Sequence, residues 1–372
     1  MNTNLFATLS TIILVSLFLV LTSCNTAEKT ATEVEASEAS ATVYPSDVIP
    51  FFDNWRLILA NGENVGVANN LEHKDFFYTT EDEAGQWVVF KAPNAGDTHG
   101  SSNNTRTELA QEKKFYPKQA DDKLSATLKV MQVSATGDAR VASTHSVVVG
   151  QIHSADGFEN EPLKIFYKKF PGHTKGSVFW HYEINTAGDD NDKRWDYSYA
   201  IWGHDFSVVG TTADTYPAEP EEGIELGEEF SYEVVVKDGI MNLTFSSAGH
   251  ETKTFTKNLV VSEYETAANT PKQVQGLFFP IGQDGVERKG AYTGEGCFFK
   301  LGCYNQTNGK SPSDNMVWCS GAETHDGDAQ AQYADGNYAE VWFKTASISV
   351  SDAAVSNQGY FDSNDDYQRP VK

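Results

Sequence analysis

Nowhere in this chain do apolar residues keep a 3.6-residue spacing over a sustained stretch. They alternate, in short runs broken by Gly, Asn, Asp, Ser and Pro. Period-two alternation sends successive side chains to opposite faces of an extended backbone, so each run reads as a strand with one face for a core. Many such strands, with no repeat of fixed length, predict an all-β fold: a sandwich, a jelly roll or a barrel. The clearest hairpin is Phe230 to Val236, Lys237-Asp238-Gly239, then Ile240 to Phe245. Asp-Gly supplies the positive φ angles that a tight primed turn requires.

Three of the runs carry chemistry on their polar faces. In Phe298-Phe299-Lys300-Leu301-Gly302-Cys303-Tyr304-Asn305-Gln306, Phe299, Leu301 and Cys303 share one side and Lys300, Gly302, Tyr304 and Gln306 the other. In Arg106-Thr107-Glu108-Leu109, Arg106 and Glu108 share a face; in Gln151-Ile152-His153, Gln151 and His153 do. If the three strands lie in one sheet, Arg106, Gln151, His153, Lys300 and Tyr304 converge.

A guanidinium, an amide, an imidazole and a phenol on one face fit proton abstraction next to a carboxylate. Removing the C5 hydrogen of a uronic acid is difficult because the carboxylate is already charged. Pairing it with Arg and an amide donor stabilises the dianion-like transition state. A neighbouring His or Tyr takes the proton, and the phenol protonates the departing glycosidic oxygen. This is β-elimination, which needs neither water nor cofactor.

The three motifs, in this order, are those of polysaccharide lyase family 7, the alginate lyases, which the chain resembles from about Tyr44 to Asp352. The resemblance implies a jelly-roll β-sandwich of two antiparallel sheets with a concave substrate groove, and alginate as substrate, with Arg106, Gln151, His153 and Tyr304 catalytic. Arg106 and Gln151 would hold the substrate carboxylate. His153 would be the base for guluronate, and Tyr304 the acid, or both acid and base for mannuronate. Glu108, Lys300 and Gln306 would contact substrate, with Lys300 on a neighbouring sugar. Ile152 points toward guluronate or mixed blocks. The first motif departs from the family pattern, since Ala110 stands where a second arginine is usual.

The rest of the chain frames this reading. With 52 Asp and Glu against 28 Lys and Arg, the net charge is -24, which argues against a nucleic-acid partner. Residues 1–23 read as a lipoprotein signal peptide: a short apolar run, Ile12 through Leu21, leads into Leu21-Thr22-Ser23-Cys24, too short to span a membrane comfortably. Cys24 is then the lipidated residue, residues 24–43 a flexible tether, 44–352 the catalytic domain and 353–372 a polar tail. These features place a monomeric enzyme, lipid-anchored, on the bacterial cell envelope. Of the remaining cysteines, Cys297 and Cys303 are too far apart along one strand to bridge, so any disulfide would use Cys319.

Two other function classes fit an all-β chain. A sandwich glycoside hydrolase would carry paired carboxylates, and no Glu-x-Asp-x-x-Glu strand is present in the globular part. A non-catalytic sugar-binding module would use exposed aromatics such as Trp195, Tyr197 and Trp202. Lys168-Lys169 reads as an exposed edge-strand charge device, with contact to substrate in the groove as the alternative. Asp189-Asp190-Asn191-Asp192 resembles a calcium-binding loop but reads rather as a solvated acidic one, and no metal site is expected. Two long polar segments, Gly188–Gly223 and Thr307–Gly336, are expected as insertions at the groove rim.

Overall fold

Alternation becomes strand throughout. The computed structural model describes residues 42–98, 102–154, 161–184, 195–206, 217–259, 296–314 and 318–349. The chain divides into Met1–Thr42 and Val43–Lys372. The signal, Cys24, the tether, the acidic run 189–192 and the tail lie outside the described residues.

In chain order the strands are β1 (Trp55–Ile58), β2 (Asn64–Val67), β3 (Phe77–Asp82), β4 (Gly85–Pro93), β5 (Arg106–Gln111), β6 (Asp121–Gln132), β7 (Ser146–Ser154), β8 (Leu163–Lys168), β9 (Lys175–Ile184), β10 (Trp195–Trp202), β11 (Ile224–Glu225), β12 (Glu229–Lys237), β13 (Ile240–Ser247), β14 (Lys253–Asn258), β15 (Cys297–Asn305) and β16 (Tyr338–Ser349). Among the described residues they form two antiparallel sheets. One runs β10-β9-β8-β7-β15-β5-β1-β2, with β11 on β9; the other runs β14-β13-β12-β6-β16-β4-β3. Sequence neighbours such as β5 and β6 sit in different sheets, the crossing pattern of the expected jelly roll. The β12–β13 hairpin closes as its Asp-Gly turn requires: Lys237 pairs Ile240, and Asp238 and Gly239 have φ of 49° and 83°.

The two sheets bury one core between them, including Trp55, Phe90, Leu128, Tyr232, Leu301 and Phe343. Burying a side chain of this kind contributes about 1.5–3 kcal/mol. β12 shows the half-buried alternation that the sequence suggested. β7, β8 and β15 do not: they are buried on almost every residue. Their inner faces meet the core, and their outer faces carry polar and aromatic side chains packed on one another.

At the middle of β15 the ladder slips. Leu301 pairs Gly150, but Tyr304 pairs Val148, so three steps on β15 match two on β7. Such bulges re-aim side chains, and this one brings Tyr304 beside Val148 on the outer face. Gly302 makes it possible. Its φ is +144°, and a Cβ there would lie 2.5 Å from the Thr107 carbonyl oxygen and 2.8 Å from Glu108 Cα. These are backbone atoms of β5 that cannot turn aside. Gly302→Ala is therefore expected to cost at least about 2 kcal/mol, overpacking plus backbone strain, read as a lower urea midpoint. A midpoint matching the parent would show that the close approach is not needed.

Three expectations need correction. Gly188–Gly223 is not simply a rim insertion, because β10 lies within it and pairs β9. Lys168 is not on an exposed edge: β8 is flanked by β7 and β9, Lys168 is buried, and its Nζ donates to the Ala142 carbonyl at 2.8 Å. Trp202 is not a sugar platform; it is buried, with Nε1 donating to the Glu251 carbonyl. The side chains of Trp195 and Tyr197 lie outside the described residues. Cys297, Cys303 and Cys319 are buried thiols.

Thr307–Gly336 does form a long excursion, with a short helix α1 (Ala329–Ala334) capped by the Asp328 carboxylate, which accepts from the Gln330 and Ala331 amides. It has a structural task. Gln332 accepts from the Ala95 amide at 2.9 Å and donates to the Ala95 carbonyl at 3.1 Å, pinning the loop that leads to Arg106.

Candidate active site

β15 lies between β5 and β7, and the register settles which side chains meet. Tyr304 is directly opposite Arg106 and Gly302 opposite Glu108. On the other side Lys300 is opposite Gln151 and Phe298 opposite His153. The three polar faces become one surface because residues i and i+2 of adjacent, in-register strands share a face.

Glu108 is the hub of that surface. Its Oε2 is 2.8 Å from Lys300 Nζ and 3.3 Å from the Arg106 guanidinium, and its Oε1 accepts from Gln151 Nε2. Burial alone would raise its pKa, but Lys300 and Arg106 outweigh burial and hold the carboxyl below the ordinary range. Burial pulls the Lys300 ammonium down to about 8, with Glu108 opposing and Arg106 reinforcing the fall. A buried cluster of this kind persists because every charge has a partner.

Above the hub, the Arg106 guanidinium lies 3.7 Å from the centroid of the Tyr304 ring. This cation–π contact fixes the ring and places positive charge where a phenolate would form. The Tyr304 hydroxyl meets Ser102 Oγ at 3.1 Å. On the other flank the His153 ring stacks on Phe298, centroids 5.3 Å apart. Its Nδ1 faces the Ser154 carbonyl and its Nε2 lies 3.3 Å from Glu161 Oε1. Burial pulls the imidazole down to about 4, with Glu161 opposing, so the ring is neutral at pH 7 and carries a lone pair. About 26 % of its side chain remains open, enough for a substrate atom to reach it.

Exposure sorts the sequence-derived set into two levels. Arg106, His153 and Tyr304 are partly open, whereas Glu108, Gln151 and Lys300 lie beneath them. Gln151 Oε1 and Arg106 Nε are buried with no hydrogen-bond partner among the described residues; the Arg106 N–H is a donor that a carboxylate could satisfy, whereas the Gln151 oxygen can only accept. Gln306 stands apart. It is buried just past β15, and its Nε2 turns back to the Tyr304 carbonyl at 3.3 Å.

Sequence reasoning missed a second polar layer. Lys164 on β8 bridges Glu161, at 2.5 Å, and the buried Glu183 on β9, at 2.8 Å. Lys164 and Glu183 had a signal, since each alternates with core residues. Glu161 lies before β8 and had none. An aromatic block on the same face was also missed: Val148, Phe166 and Phe179 cluster with Phe206 and Tyr304, and the Phe166 and Phe179 rings stack 5.0 Å apart.

Comparison with known proteins agrees with this geometry. The alginate lyase family profile matches residues 50–350. An alginate lyase of Klebsiella pneumoniae is 26 % identical over 304 residues, 70 % of this chain and 84 % of that protein. The crystal structure of an alginate lyase from Klebsiella pneumoniae superposes with a TM-score of 0.58 at 21 % identity, over 83 % of this chain and 99 % of that one, a likeness of fold. The crystal structure of an exolytic family 7 alginate lyase from Zobellia galactanivorans is 58 % identical, with a TM-score of 0.75, over 84 % of this chain and 99 % of that one. The fold, the three motifs on adjacent strands and the match over most of the chain lead to one conclusion: this chain belongs to the alginate lyases of polysaccharide lyase family 7.

Proposed function

We propose that this enzyme cleaves the 1,4-glycosidic bond of alginate from chain ends, by β-elimination, with Arg106, Gln151, His153 and Tyr304 doing the chemistry. The observation that carries the reading is the register of β15 between β5 and β7, which sets Tyr304 across from Arg106 and Phe298 across from His153. Arg106 receives the uronate carboxylate, its Nε–H having no partner among the described residues, and Gln151 offers the second hydrogen of Nε2, the first being given to Glu108. In a guluronate unit His153, neutral at pH 7, takes the C5 proton. The C5–H electron pair forms the C4–C5 double bond, the C4–O bond breaks, and Tyr304 protonates the departing oxygen. In a mannuronate unit Tyr304 serves as both base and acid. Glu108, saturated by three donors, holds Arg106, Lys300 and Gln151 in place. A carboxylate next to an acidic sugar would repel it unless neutralised in this way.

Release from chain ends is supported by two observations. The relative at 58 % identity is described as exolytic, and the apolar block of Val148, Phe166, Phe179 and Phe206 beside Tyr304 offers an acidic sugar few hydrogen-bond partners. The apolar run Ile12 to Leu21, followed closely by Cys24, supports a lipid anchor holding the enzyme on the cell envelope. Ile152 supports a preference for guluronate or mixed blocks.

A time course on poly-guluronate tests the core of this. Ultraviolet absorbance of the new unsaturated uronate is expected to rise, with the smallest products present from the first minutes. Mid-sized oligomers early would refute end-wise action. Reducing ends without the absorbance would mean hydrolysis, and neither signal would mean a binding module.

A further inference from the structure

His153 faces charge from every side. Lys300 on β15 and Arg106 on β5 oppose protonation of its ring, and Glu161, leading into β8, favours it. Phe298 covers one ring face. Lys164 and, through it, Glu183 on β9 stand behind Glu161. The tautomer follows from the acceptors. Nδ1 faces the Ser154 carbonyl, so it carries the hydrogen in the neutral ring. The lone pair is then on Nε2, the nitrogen 3.3 Å from the Glu161 carboxylate.

A carboxylate 3.3 Å from Nε2 attracts the imidazolium far more than the neutral imidazole, whichever way the transferred proton points. The contact is therefore worth more once the ring has been protonated than before, the condition for an interaction to speed a reaction. We propose that Glu161 is a positioning residue for His153, orienting the imidazole and stabilising the imidazolium left when Nε2 takes the C5 proton. Lys164 and Glu183 are its support: Lys164 grips Glu161 Oε2 while Glu183 takes the other side of the ammonium. Glu161 is thus held toward the ring. The inference rests on the assignment of His153 as base for guluronate.

Glu161→Gln keeps the shape and removes the charge, and it leaves Lys164 paired with Glu183. The test is an NMR titration of the His153 ring in wild type and variant, with kinetics on poly-guluronate and a thermal melt. The variant ring is expected to titrate about one pH unit or more lower, since an opposite charge at this distance favours the protonated form by that amount. The kcat on poly-guluronate should fall about tenfold, part of the roughly 10²–10⁴ that a placed base supplies, with KM near wild type. Glu161→Asp should recover part of both effects. An unchanged His153 titration would overturn the proposal, as would a kcat loss that disappears once the melt is matched. Should wild type give no unsaturated product, the assigned reaction fails, and the titration still decides whether Glu161 governs His153.

Discussion

Tyr304→Phe is expected to lose about 10²–10⁴ in turnover on alginate while the fold stays intact. The substitution removes one oxygen. Its contact is Ser102 Oγ at 3.1 Å, a partly exposed hydrogen bond worth about 1 kcal/mol at most. The ring keeps its place under the Arg106 guanidinium, 3.7 Å away, so geometry and substrate binding survive. The proton for the departing glycosidic oxygen does not. A positioned acid supplies about 10²–10⁴ in rate, and under the proposed mechanism the same hydroxyl is also the base on mannuronate, so the loss there should be larger. Initial rates from the ultraviolet absorbance, with a melting curve alongside, make the comparison. A variant turning over at close to the wild-type rate would remove Tyr304 from the mechanism.

Glu108→Ala should damage the protein in a different way, by destabilising it about 3–5 kcal/mol, the usual cost of leaving buried charges without their partner. Lys300 and Arg106 both lose the carboxylate they share, and Gln151 loses its acceptor. The measurement is the urea midpoint, and a change under about 1 kcal/mol would show that Glu108 is not the hub. The same group predicts a pH dependence. Its folded pKa is held below the ordinary carboxylate value. The stability it contributes is therefore complete above the unfolded pKa, about 4.3, and is lost as pH falls through the folded one. Wild type should weaken below about pH 4, and Glu108→Gln, weaker throughout, should show a shallower acid limb.

Much of this was legible in the chain because strand chemistry is local. Alternation in Phe299, Leu301 and Cys303 against Lys300 and Tyr304 identifies an inner and an outer face without any knowledge of neighbours, and the structure places the first three in the core. The Asp238-Gly239 turn was equally readable, since positive φ belongs to the residue and not to its surroundings. The errors fell where burial depends on what covers a strand. Lys168 looked like an edge cation, yet it lies inside a sheet under the rings of Phe170 and Phe206. Trp202 looked like a platform and is core. Glu161 left no trace at all, because a lone acid in a connecting segment has no period to break.

The sequence by itself determined the all-β class, the inner and outer faces of each strand, and the set of side chains able to abstract a proton beside a carboxylate. Tertiary structure decided which of those side chains meet, since pairing β15 with β5 and β7 joins segments up to about two hundred residues apart through long-range hydrogen bonds that no local pattern encodes. It also decided their depth. Glu108 and Lys300 became buried support with Gln151 beside them, and Arg106, His153 and Tyr304 a partly open surface, because burial is a property of packing and not of the residue.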